Sequence, residues 1–144
     1  MSGLEKVRFD DKISIAHSDN RREIYDPKTI LGGISGRWYP HSIITILDDN
    51  VILGEHYHDY TEVFFTPTGG FNFMLADIDK LEDTKKFVLS RGSRILIPSR
   101  VAHGVICKKN SVLIGFGSIK FDPGRIFKLN SKMASIFQKK YDVD

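Results

Sequence analysis

Gly54-Glu55-His56-Tyr57-His58-Asp59-Tyr60-Thr61-Glu62 carries two histidines one residue apart and a carboxylate shortly after them. The apolar run Val51-Ile52-Leu53 leads into it, so the stretch reads as a strand. Side chains on a strand alternate between faces, which puts His56 and His58 on one side and Tyr57 on the other. Glu62 lies an even number of residues further on and keeps that facing if the strand continues; Asp59-Tyr60 is where a bulge or bend would shift it. Further along the chain Gly92, Pro98 and His103 form a second group, and His103 must come from another strand. Three imidazoles and a carboxylate suit a divalent first-row metal such as iron, manganese, nickel or zinc, with copper also compatible, and leave one or two positions open. The pattern predicts a metal or catalytic centre inside a small barrel.

Two spaced motifs resemble those of the cupin superfamily. His56-x-His58, then Glu62 after three intervening residues and Gly69 after six more, looks like the first cupin motif. Gly92, five residues, Pro98 and then His103 looks like the second. Arg100 stands where the second motif usually has glycine, and Cys107 where it usually has asparagine. The resemblance implies an all-β fold, the cupin double-stranded β-helix or jelly-roll barrel, with His56, His58, Glu62 and His103 as metal ligands.

The rest of the chain agrees with that architecture. Short segments rich in β-branched and aromatic residues are expected as strands near 12–17, 38–47, 51–58, 61–66, 71–77, 86–89, 94–97, 102–107 and 111–119. Asp48-Asp49-Asn50, Pro67-Thr68-Gly69-Gly70 and Lys108-Lys109-Asn110 supply turn residues between them. The charged stretch 77–85 reads as a connection with room for one helical turn. After Asp122-Pro123-Gly124, the apolar residues Ile126, Leu129, Met133, Ile136 and Phe137 recur at helical spacing, which predicts a short C-terminal helix. One domain over 1–144 is expected, with an N-terminal extension to about 35, a barrel over about 36–121 and a helical tail over about 125–141.

Composition narrows the function classes. At 144 residues, 41% hydrophobic and 27% charged, the chain is long enough for a real core. A net charge of +3 with scattered basic residues shows no continuous basic face, so nucleic acid is not expected as a partner. The single Cys107 excludes an intrachain disulfide, and no N-terminal apolar run resembles a signal peptide or membrane span. A cytoplasmic protein with no membrane partner is expected, and a homodimer would protect exposed strand edges.

Cupin folds host many activities, so function must be argued from local features. Asp19-Asn20-Arg21-Arg22 partly resembles the Asp-x-Arg-Gly segment of nucleotide-sugar 3,5-epimerases and 3,4-ketoisomerases, with Arg22 at the glycine. Leu53-Gly54-Glu55-His56-Tyr57-His58 is loosely similar to the histidine-bearing strand of those enzymes. This resemblance implies isomerase- or epimerase-type proton transfer on a nucleotide-linked sugar, a small polar substrate. His56 or His58 would be the base, Tyr60 or Tyr57 a proton donor or stacking surface, and Arg21, Arg37 or Arg94 the diphosphate ligand. Those families generally resemble metal-free cupins, whereas this chain keeps all four ligand positions. A metal-dependent dioxygenase or lyase on a small organic acid is therefore the alternative, and a non-catalytic ligand-binding cupin the second alternative.

Overall fold

The computed structural model describes residues 3–142, without the side chains of 136 and 139–142. In chain order the strands are β1 Arg8–Asp10, β2 His17–Ser18, β3 Glu23–Ile24, β4 Tyr39–Thr45, β5 Val51–His58, β6 Glu62–Thr68, β7 Phe71–Asp77, β8 Lys80–Leu89, β9 Arg94–Ile97, β10 Val101–Cys107, β11 Val112–Gly117 and β12 Ile126–Lys128. Helix α1 spans Pro27–Ile30 and α2 spans Ser131–Asp142.

Two five-stranded antiparallel sheets face each other, in the orders β1-β9-β6-β11-β4 and β12-β5-β10-β7-β8, and β2 pairs β3 in a small hairpin. The space between them is filled by Phe71, Phe73, Leu75, Leu89, Ile95, Ile97, Val101 and Val105, with Phe64 and Cys107 in the same cluster. This is the jelly-roll barrel that the family resemblance implies.

Both outer faces are partly covered. Residues 10–35 lie against the first sheet, where Ile13 and Ile30 pack on Phe65 with Tyr25, Ile114 and Phe116 around them. Arg94 fastens this segment: its guanidinium donates to Asp10 Oδ2 at 2.7 and 2.9 Å and to the carbonyls of Ile30 and Gly32, both at 2.8 Å. On the second sheet, α2 buries Phe137 and covers Met74, Ala76, Leu81 and Ala102.

Three elements differ from the expected boundaries. The charged stretch 77–85 is mostly strand, because Asp77 Oδ1 accepts from the Asp79 amide at 2.9 Å and closes a hairpin; β8 is then the outer strand of its sheet, where alternating charge meets water. The segment 12–17 is irregular apart from His17. The C-terminal helix starts only at Ser131, because Asn130 caps it by accepting from the Met133 amide at 2.9 Å. Ile126, expected on a helical stripe, instead lies in β12, where it and Phe127 pair with His58 and Tyr57. The expected stripe residue Ile136 lies outside the described side chains.

Candidate active site

The facing of His56 and His58 depends on a bulge that the alternation rule alone does not reveal. Val51 and Leu53 pack toward the core, so unbroken alternation would send Glu55 and Tyr57 inward as well. In the ladder between β5 and β10, His56 lies opposite His103 while Gly54 lies opposite Gly104, which leaves Glu55 as an extra residue. Gly54 and Glu55 take up the kink at φ +85° and +59°. Past it the parity reverses: His56 and His58 face inward, and Tyr57 faces out to stack on Phe127 at 5.2 Å. A Cβ at Gly54 would lie 2.8 Å from the His103 carbonyl oxygen, so this approach of the two strands needs glycine.

His103 reaches the same point from β10. One ligand atom from each of His56, His58 and His103 lies within 4.8 Å of the others. The His58 and His103 rings are nearly parallel with centroids 5.2 Å apart, and the His56 ring stands edge-on to both at 4.7 Å. Glu62 Oε1 completes the group, 2.7 Å from His58 Nε2 and 3.5 Å from His103 Nε2. All three of these atoms are buried and none is in hydrogen-bond alignment with a partner, despite the short separations. Donor atoms around an ion at about 2.1 Å stand about 3.0–3.4 Å apart, so the observed pair of distances brackets that of a shared cation. The three histidines thus form a group that could hold a divalent metal, with Glu62 against two of them.

Two further observations favour ligand-ready imidazoles. His103 Nδ1 lies 3.2 Å from the Val101 carbonyl. A carbonyl only accepts, so Nδ1 carries the proton and the Nε2 lone pair points at the cluster. Burial, partly countered by Glu62 and reinforced by His56 and His58, pulls the His103 pKa down to about 4. Burial also brings His56 to about 4, with His58 and then Lys128 adding repulsion. Both rings are neutral at neutral pH.

Tyr60 closes one side of the centre. It is 4% exposed, its ring lies 4.7 Å from His58, and its hydroxyl is buried without a hydrogen-bond partner. Burial first, then the charges of Glu62 and Asp59, pushes the phenol well above its ordinary value, so it remains protonated. Behind it stands His41, whose ring meets that of Tyr60 at 5.5 Å and whose Nε2 donates to the Ile119 carbonyl at 2.7 Å. His41 carried no role in the sequence reading. Gly117 lies against its ring with no room for a side chain, and that long-range contact leaves no signature in local spacing.

The three arginines expected to hold a diphosphate are not brought together. Arg21 sits in the β2–β3 hairpin, bound to Asp19 at 3.2 Å, in a depression that also involves Thr68 and Arg91. Thr68 ends β6 at the far end from Glu62, about 20 Å away at the usual rise per residue. Arg94 is 4% exposed and bound to Asp10 and two carbonyls, so it acts as the fastener described above. Arg37 alone lies at the proper end: it is exposed just before Tyr39, which pairs Gly117, which in turn pairs Glu62.

The fold is a jelly roll of the cupin type, and its centre is a three-histidine cluster in which His58 and His103 are buried and meet Glu62. No protein-family model matches the chain, and no curated relative matches it. Among solved structures it is similar to QdtA, a sugar 3,4-ketoisomerase from Thermoanaerobacterium thermosaccharolyticum in complex with TDP, at 18% identity and a TM-score of 0.67, covering 96% of this chain and 98% of that one. A 3,4-ketoisomerase from Helicobacter canadensis matches at 14% identity and a TM-score of 0.67, covering 92% and 97%. ChmJ, a 3'-monoepimerase from Streptomyces bikiniensis in complex with dTDP-quinovose, matches at 11% and 0.68, covering 90% of this chain and 72% of that one. These likenesses establish the fold. No helix among the described residues is long and apolar enough to cross a membrane.

Proposed function

We propose that this chain is a metal-binding cupin enzyme that moves a proton between carbons next to the carbonyl of a nucleotide-linked keto sugar. The observation that carries the reading is the division within the cluster. His58, His103 and Glu62 present buried, unpartnered atoms to one point, while His56 is half-buried and stands edge-on to the other rings. The likeness to ketoisomerases and an epimerase, which spans nearly the whole chain, supports the sugar class.

In this scheme His58, His103 and Glu62 hold the ion, with His56 as the most accessible of the four donors. A divalent first-row ion bound there would supply Lewis-acid polarisation of a sugar oxygen. His56 takes the proton from the carbon beside the carbonyl, and Tyr60 gives its phenolic proton to the carbonyl oxygen, forming an enediol. His56 then returns the proton to the former carbonyl carbon while the other enediol hydroxyl gives its proton to the Tyr60 phenolate, which moves the carbonyl by one carbon and restores both residues. His41 holds the Tyr60 ring in place, and Arg37 is the one expected diphosphate ligand that the fold leaves at this end. A metal-dependent oxygenase or lyase on a small organic acid is the second reading, favoured by retention of all four donors.

The test is proton exchange. Incubated with TDP-4-keto-6-deoxyglucose in deuterium oxide, the protein should place deuterium next to the sugar carbonyl, as read by NMR. Tyr60→Phe should slow exchange by about 10²–10⁴-fold with metal content unchanged. No exchange with TDP-, UDP- or GDP-linked 4-keto sugars would overturn the reading.

A further inference from the structure

The segment from Ser118 to Leu129 runs around the rim of the centre. The Ser118 amide donates to the Thr61 carbonyl at 2.9 Å, Arg125 Nε to Asp59 Oδ1 at 2.8 Å, and the Leu129 amide to the Glu55 carbonyl at 3.0 Å. Between these anchors β12 adds to the edge of the second sheet, with Ile126 opposite His58 and Lys128 opposite His56. Directly opposite residues on paired strands share a face. Phe127 and Tyr57 confirm the parity by stacking on the outer face, so Lys128 leaves the strand on the side of His56.

Lys128 is exposed, and among the described residues no carboxylate pairs with it, whereas the nearby Arg125 is occupied by Asp59. Its charge is felt at the His56 ring. An unpaired cation beside the most accessible histidine suits an anionic substrate, and it would act with the exposed Arg37 at the same end of the barrel. We propose that Lys128 is a substrate-recognition residue, its ammonium binding the diphosphate of the substrate as the sugar enters beside His56. This rests on the nucleotide-sugar reading for the identity of the anion and on strand register for the residue. It also explains β12, which sequence reasoning placed in a helix: only a strand paired with β5 sets residue 128 against residue 56.

The experiment is calorimetric titration of wild type, Lys128→Gln, Lys128→Arg and, as a control on the first turn of α2, Lys132→Gln. Each is titrated with TDP and with inorganic pyrophosphate at low and at physiological salt. Losing a charged hydrogen-bond partner should weaken both ligands by about ten-fold or more in Lys128→Gln and flatten the salt dependence. Lys128→Arg should retain most of the affinity, Lys132→Gln should match wild type, and all four should melt alike. TDP binding that is unchanged in Lys128→Gln would overturn the role of Lys128 while leaving the nucleotide-sugar reading intact. Lys128-dependent pyrophosphate binding without affinity for TDP would support the anion site and count against the nucleotide. Wild-type protein that binds neither ligand would overturn the proposal.

Discussion

The spacing of His56, His58 and His103 pointed to one cluster, and the fold brings their ligand atoms within 4.8 Å of one another. Their surroundings could not be read from spacing. The tautomer of His103 rests on a carbonyl in its own strand, and the Tyr60–His41 contact joins the β5–β6 turn to β4. Arg94 shows the opposite error: on a strand an arginine that binds substrate and one that fastens a buried segment look identical until burial is known. Cys107 gives a direct test at this scale. Burial raises its thiol from the ordinary 9.0 to about 11, so at pH 8 only about one thiol in a thousand is ionised, against about one in ten in the unfolded chain. Thiol-disulfide reagents should therefore label native protein slowly and label it fast in urea. Rapid stoichiometric labelling of native protein would show that the β10 end is open.

At the scale of elements, the strands of the two motifs were legible because alternation and turn residues agree: Asn50 and Asn110 take left-handed φ of +57° and +66° at the expected turns. Arg100, at the usual glycine of the second motif, also sits at φ +63° and keeps an exposed pair with Asp79 at 3.1 Å. The bulge at Glu55 was not legible, since nothing in composition separates a strand that continues from one that gains a residue. The helix boundary failed for a related reason: Ile126 fits the helical stripe and a short strand equally well. Gly54→Ala should cost about 1–3 kcal/mol in urea unfolding, through strain at φ +85° and the collision with the His103 carbonyl. It should also lower metal content, because the kink aims His56 and His58. Wild-type stability and metal content together would remove the bulge from the account.

Across the whole molecule, the barrel is closed by what packs on its outer faces, and that part was least visible in sequence. The N-terminal segment carries few periodic residues, and its position is set by Arg94 and by Ile13 and Ile30 packing on Phe65. Arg94→Ala leaves two carbonyls without their donor and Asp10 with only its 3.4 Å pair to Arg8, and should destabilise the protein by about 2–3 kcal/mol, measured by urea unfolding. A loss below about 1 kcal/mol would place Arg94 with ordinary surface ion pairs. The central claim, that His58, His103 and Glu62 converge on one cation beside His56, is tested most directly by elemental analysis of protein purified without chelator, beside His103→Ala with its circular dichroism recorded. The account predicts about one divalent first-row metal per wild-type chain and little in a folded variant. Wild-type protein that carries no metal and takes up none when it is added would contradict it.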